Sequence, residues 1–202
     1  ELTRAATHRI TEIGWDGDDY RPLGHCIDEK AIVNAVAGLL ATGGSTNHML
    51  HIPAIARAAG IIIDWQDFDE LSHAVPLLAR VYPNGLAAVN HFNAAGGMGF
   101  LIRELLDAGL LHEDVRTIWG DGLRAYTVEA ALGEDGTVRR APAPKESGDP
   151  KVVTTAGEPF QSNGGIRLLK GNLGSAIIKV SAVKPEKRLI EAPAKVFDGQ
   201  AE

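Results

Sequence analysis

Two adjacent glycines, Gly43 and Gly44, separate two apolar runs of helical period, and no other feature restricts the fold of this chain as much. Ahead of them, Ile32, Val33, Val36, Leu39 and Leu40 recur at the spacing of one helical face, with Asp28 placed to cap its start. Behind them, Ser45, Thr46 and Asn47 lead directly into a second run over residues 45–59. Such wording stops one helix and starts another. Ser45 is the expected N-cap, which leaves the N–H groups of Thr46, Asn47 and His48 without helical partners. Those donors, at the positive end of a helix dipole, suit a phosphate or carboxylate. The same residues also read as a well-capped turn and nothing more.

The second helix places His48, Ile52, Ile55 and Ala59 on one face, with Pro53 inside it as a source of a kink. His48 and His51 have a spacing two metal ligands can use. With no nearby carboxylate and with Met49, Leu50 and Ile52 around them, they read as histidines of the core or its support rather than zinc ligands. At the third helical position His48 would also feel the positive helix end and stay neutral, fit for a hydrogen bond to a substrate. Gly60 ends this helix, and Ile61-Ile62-Ile63 reads as a short buried strand. A further helix is expected from Asp67, burying Phe68, Leu71, Val75, Leu78 and Ala79, and closing before a turn at Tyr82-Pro83-Asn84-Gly85.

Length and composition decide which classes remain. With 202 residues, 45% of them apolar, the chain can bury a substantial core. Its net charge of −6, from 26 acidic and 20 basic residues, argues against a nucleic acid or an anionic membrane as partner. No apolar run approaches bilayer length and the N-terminus lacks the order of a signal peptide, so a cytoplasmic location is the expectation. A single cysteine, Cys26, excludes an internal disulfide and reads as a partly buried structural thiol. The acids Asp16, Asp18 and Asp19 fall in a turn-rich stretch lacking the glycine and final glutamate of a calcium loop, hence a solvated loop. The opening residues, Leu2 to Ile10, already read as helix with no start signal, and the expectation is a piece of a longer protein.

Asn90 to Gly99 packs three glycines into a helical-looking run, which suits either close helix packing or a second ligand-facing turn. Tyr126 to Leu132 reads as helical, with a turn at Gly133-Glu134-Asp135-Gly136. Residues 141–150 read as an exposed linker, dividing a helix-rich part at 1–140 from a β-rich part at 151–202. Strands are expected at Lys151–Thr155, Ile166–Lys170, Ala176–Val183 and Ala194–Phe197, with Lys170 to Gly174 as a connecting turn. Arg103 and His91 are weaker candidates for a phosphate contact.

Several of these stretches together resemble one family. Ala41-Thr42-Gly43-Gly44-Ser45-Thr46-Asn47-His48, Tyr82 to Gly85, Asn90-His91-Phe92 with Ala94 to Gly97, Arg103 to Asp114, and Gly171 to Gly174 with Ile190 to Ala194 are similar to motifs of the dihydroxy-acid and 6-phosphogluconate dehydratases. The resemblance covers nearly all of the chain. The Gly-Gly-Ser-Thr-Asn core is shared across the family, whereas His48, the Tyr-Pro-Asn-Gly turn and Asn90 to Phe92 look like the 6-phosphogluconate branch.

The resemblance implies an α/β fold: the helix-rich end of a large α/β domain over 1–140, then the first strands of a C-terminal β-barrel-like domain. It implies a homodimeric lyase that dehydrates 6-phospho-D-gluconate, a small phosphorylated sugar acid, to 2-dehydro-3-deoxy-6-phospho-D-gluconate. In such enzymes a 4Fe-4S cluster binds the C3 hydroxyl as a Lewis acid while a base removes the C2 proton. A divalent cation is a further cofactor it leaves room for. The family's cluster cysteines lie upstream of this segment, and its base lies partly upstream and partly in the barrel, so neither role is carried onto Cys26 or any other residue here. By itself the chain is expected to hold no cluster and catalyse no dehydration. Gly43, Gly44, Ser45, Thr46, Asn47 and His48 remain the candidate substrate contacts, the glycines for close approach. Dihydroxy-acid or other sugar-acid dehydration, and a non-catalytic phosphosugar-binding or assembly module, are the alternatives.

Overall fold

Helix formation follows the capping residues and the apolar spacing. In a computed structural model describing residues 1–200, α1 spans Leu2–Ile13, α2 Glu29–Thr42, α3 His48–Ala58, α4 Trp65–Ala74, α5 Val89–Ala94 and α6 Gly97–Asp107. Asp28 caps α2 by accepting from the Ala31 N–H at 2.8 Å. Asp64 accepts from the N–H groups of Gln66 and Asp67, and the Asp67 carboxylate accepts from the Asp64 N–H at 2.8 Å, a reciprocal capping box that starts α4.

The core lies among α2, α3, α4 and α6, with Leu40, Leu78, Phe100 and Leu105 wholly inaccessible to solvent. Through it runs an extended segment, Leu77 to Arg80. The Leu78 N–H donates to the Ala41 carbonyl, and the Arg80 N–H to the Val152 carbonyl. Single antiparallel bridges join Leu77 to Gln161 and Ala79 to Val153. Val152, Val153 and Ile166 are buried in this same cluster, so residues beyond 141–150 pack on the same core as the helices before it. Buried Ser72 is satisfied there: its hydroxyl donates to the Gly164 carbonyl at 3.0 Å, and its carbonyl accepts from the Gly164 N–H at 2.8 Å.

Four strands complete a mixed α/β fold as two antiparallel hairpins: β1 (Val128–Leu132) with β2 (Val138–Pro142), and β3 (Ile166–Gly171) with β4 (Gly174–Lys179). The two hairpins are separate two-stranded sheets. The expected strand at Ile166 to Lys170 and the turn to Gly174 are present, with Ile166 opposite Lys179 and Gly171 opposite Gly174.

Several expectations are corrected. The helix expected through Ala79 ends at Ala74, because Pro76 holds Val75 in extended backbone and the chain leaves as the buried segment above. Ile61 to Ile63 is irregular, with Ile62 84% exposed: an apolar run forms a strand only where another strand offers a ladder. Tyr126 to Leu132 is not helical; its second part is β1, and the Gly133 to Gly136 turn closes a hairpin in which the Gly133 N–H donates to the Thr137 carbonyl. Lys151 to Thr155 contributes one bridge instead of a strand, and Ala194 to Phe197 is irregular and exposed. The β4 strand stops at Lys179 and gives way to a short 3-10 turn at Val180–Ala182.

The 141–150 stretch is mostly exposed, as its composition suggests, but it is fastened down. The Arg103 guanidinium donates to the carbonyls of Ala143, Pro144 and Lys145, and the Gly148 N–H donates to the Ala95 carbonyl. Arg103 is thereby committed to backbone contacts. His91 is likewise used locally, its Nδ1 accepting from the Ala88 N–H. At the other end, Arg9 and Arg21 both donate to Asp19, and Arg21 also to Asp121, so the acidic loop is tied to residues 117–121 by ion pairs. That network, with Arg21 as the larger cause, holds the Asp19 carboxyl below the usual aspartate range.

Candidate functional site

The Gly43–Gly44 junction ends α2 with a pair of backbone hydrogen bonds: the Gly44 N–H donates to the Leu39 carbonyl at 3.0 Å and the Gly43 N–H to the Leu40 carbonyl at 3.3 Å. This closure places Gly43 at φ +60°, in the left-handed region that favours glycine. A second constraint acts there, since a Cβ on Gly43 would lie 2.1 Å from the Asn84 Nδ2. The reason for that closeness is a hydrogen bond. Asn84 donates to the Gly43 carbonyl at 2.6 Å, Lys179 donates to the same oxygen at 3.0 Å, and the Ser181 hydroxyl donates to the Asn84 Oδ1 at 2.6 Å. Three separate segments therefore converge on one carbonyl: the α2–α3 junction, the Tyr82 to Gly85 turn and the end of β4.

The expectation for Ser45 needs correction. Helix α3 starts at His48, two residues later than a Ser45 cap implies, because residues 45–49 first make a tighter turn: the His48 N–H donates to the Ser45 carbonyl and the Met49 N–H to the Thr46 carbonyl. Ser45 still caps, but within this turn, its Oγ accepting from the Asn47 N–H at 3.2 Å. Two of the three donors expected to be free, those of Asn47 and His48, are thus used by the turn itself. His48 is the first residue of the helix, not the third. Its Nδ1 lies 3.0 Å from the Ser45 carbonyl, which can only accept, so that nitrogen is the donor of this contact. Both His48 and His51 are exposed, contrary to the core placement expected, since the buried face of α3 is Met49, Ile52 and Ala56.

The candidate residues divide between two clefts. Gly43, Gly44, Ser45 and Thr46 line one of about 680 Å³, together with Tyr82, Phe92 and Lys179. His48 lines a neighbouring, more apolar cleft of about 420 Å³ between α2 and α6, which Gly44 also borders. Asn47 lines neither. The larger cleft contains a cation that reading the sequence missed. Lys179 is half-buried, and among the described residues it forms no ion pair; its partner is the neutral Gly43 carbonyl. Burial pushes its ammonium below the ordinary lysine pKa. The signal was a lysine interrupting the apolar run Ala176-Ile177-Ile178-Lys179-Val180, inside a segment expected only to be a strand.

The residues present do not fit an iron-sulfur cluster. A 4Fe-4S cluster is ordinarily held by four thiolates, and this chain carries one cysteine, half-buried Cys26. Among the described residues no group of three or more His, Cys, Asp and Glu side chains converges to hold a metal ion. What the large cleft offers is hydroxyls, one ammonium and an apolar floor, a set suited to binding and orienting a polar anionic molecule. No helix among the described residues is long and apolar enough to cross a membrane.

Comparison with known proteins places this cleft in context. Residues 1–126 match the family model described as dihydroxy-acid/6-phosphogluconate dehydratase N-terminal, and residues 151–202 match the corresponding C-terminal one. A phosphogluconate dehydratase of Rhizobium meliloti is 62% identical over 201 residues, covering 100% of this chain and 33% of that protein. One from Escherichia coli K12 is 52% identical, covering 98% of this chain and 33% of its own length. A dihydroxy-acid dehydratase of Koribacter versatilis is 35% identical over 202 residues, 100% of this chain and 32% of that protein. The chain thus spans about a third of the length of the curated relatives it matches. With the N-terminal model alone matching residues 1–126 of 202, the chain belongs to the dihydroxy-acid/6-phosphogluconate dehydratase family.

Proposed function

We propose that this chain forms part of a hydro-lyase that dehydrates 6-phospho-D-gluconate to 2-dehydro-3-deoxy-6-phospho-D-gluconate, the Entner-Doudoroff reaction. The observation that carries the reading is the meeting, at the Gly43 carbonyl, of the two family motifs at 41–48 and 82–85 with Lys179, beside a cleft lined by Ser45 and Thr46. Identity of 62% to a phosphogluconate dehydratase, against 35% to a dihydroxy-acid dehydratase, supports the phosphorylated sugar acid as substrate class.

The reaction removes a proton from C2 and hydroxide from C3, leaving an enol that tautomerises to the 2-keto product. This chain's part is to bind and orient: Ser45 and Thr46 offer hydroxyls to the substrate's oxygens, and Gly43 and Gly44 let backbone approach it. The iron-sulfur cluster belongs to this reading only with thiolates from outside these residues, and no step is assigned through it. A homodimeric, cytoplasmic enzyme completes the proposal.

The test is turnover of the full-length protein on 6-phosphogluconate, gluconate and a branched 2,3-dihydroxy acid. Dehydration of 6-phosphogluconate in clear preference to the others is the expected result. Turnover confined to the dihydroxy acid would refute the substrate class, and none on any of the three would leave a binding or assembly module as the better reading.

A further inference from the structure

We propose that Lys179 is an anion-binding residue of the large cleft, its ammonium taking the phosphate or carboxylate of the sugar acid; this deepens the function proposed above and rests on it for the identity of the ligand. The argument begins with charge. Lys179 closes β4 opposite Ile166, which is 1% exposed, and the pairing turns the lysine stem inward. A half-buried ammonium normally finds a carboxylate, yet among the described residues none lies within ion-pair reach of Lys179. One of its three N–H donors goes to the Gly43 carbonyl, and that bond fixes where the ammonium sits without neutralising it.

The surroundings complete an acceptor site for oxyanions. Ser45 Oγ receives the Asn47 N–H, which leaves its own O–H to donate, and Thr46 and Tyr82 border the same space. No acidic side chain lines this cleft. An anion entering it meets one uncompensated positive charge and hydroxyl donors, and it replaces the carboxylate that Lys179 lacks.

Two readouts on the full-length protein separate this proposal from the enzymatic reading beneath it. In the first, Lys179 is labelled with an amine-reactive acetylating reagent, followed by mass spectrometry, with inorganic phosphate, gluconate or sodium chloride added. Protection of Lys179 by about tenfold, when the anion exceeds its Kd by that same factor, is expected from phosphate if the site takes the phosphate end, and from gluconate if it takes the carboxylate. Labelling equal in all three solutions overturns the proposal, whatever the enzyme's substrate. In the second, Lys179→Met raises KM for 6-phosphogluconate by about 10- to 100-fold while Lys179→Arg retains most of the affinity. An unchanged KM in a folded Lys179→Met protein overturns the proposal as well. Where Lys179→Met does not fold, the labelling of the unaltered protein decides.

Discussion

Replacing Gly43 by alanine perturbs the junction in two ways that can be separated. The residue sits at φ +60°, where an L side chain costs roughly 1–2 kcal/mol. The new Cβ would also fall 2.1 Å from the Asn84 Nδ2, displacing the 2.6 Å hydrogen bond to the Gly43 carbonyl, a loss of about 1 kcal/mol. Alanine restricts the unfolded chain and returns about 0.4–1 kcal/mol. The net expectation is destabilisation by about 2 kcal/mol, which for a chain of this size lowers Tm by about 4–8 °C. Gly60 supplies the control: it has φ +80° but nothing within 4 Å of an added Cβ, so Gly60→Ala carries only the backbone part, about 1 kcal/mol. Urea unfolding followed by circular dichroism measures both. Equal destabilisation by the two substitutions would refute the argument that Asn84 presses on Gly43. The double variant Gly43→Ala with Asn84→Ala then falls short of additivity by about 1 kcal/mol, since the same bond cannot be lost twice.

Other consequences are open to measurement. Asp64→Ala removes the acceptor of the α4 capping box and lowers unfolding free energy by about 1 kcal/mol, read from the same urea curves. The Asp19 carboxyl, held below the ordinary value of 3.8 by Arg21 and then Arg9, contributes stability that is present above the unfolded value and is lost as pH falls through the folded one. An acid titration of Asp19→Asn therefore shows a shallower loss of stability below about pH 4 than the unaltered chain. Ser45→Ala takes away the Oγ that receives the Asn47 N–H and borders the large cleft; in the full-length enzyme a two- to tenfold (about) rise in KM or fall in turnover is expected. Unchanged kinetics with a lower Tm would make Ser45 a structural cap alone.

Local chemistry made much of the helical part readable. The Asp28 cap, the stripe of α2 and the glycine stop at residue 43 each depend on neighbours within a turn or two, and each lies where the pattern puts it. Two of the errors share one cause. Val75 to Ala79 and Ile61 to Ile63 are both short apolar runs that follow a helix, and only the first pairs with distant backbone: Leu77 and Ala79 bridge to Gln161 and Val153, more than 70 residues away. No periodicity distinguishes two runs whose fates are decided by a distant partner. His48 and His51 failed differently. They were placed by face, and the helix starts two residues later than its capping signal suggests; the residues that bury are Met49, Ile52 and Ala56.

The candidate site is a case of the same limit, and it shows where the information lies. Its hydrogen bonds to the Gly43 carbonyl span 41 residues to Asn84 and 136 to Lys179, so no window of sequence contains it. What sets the position of Lys179 is strand register. The β3–β4 pairing puts Lys179 opposite Ile166, itself locked in the core, and the tight return from Gly171 to Gly174 leaves the register no room to slide. A slip of one residue would exchange the lysine for Ile178 or Val180 and turn the cation to the other face of the hairpin. The Gly171-Asn172-Leu173-Gly174 turn does not line the cleft, yet through this pairing it determines which side chain reaches Gly43. Distant turn and buried anchor therefore act together as the parts of the chain that aim the lysine of this cleft.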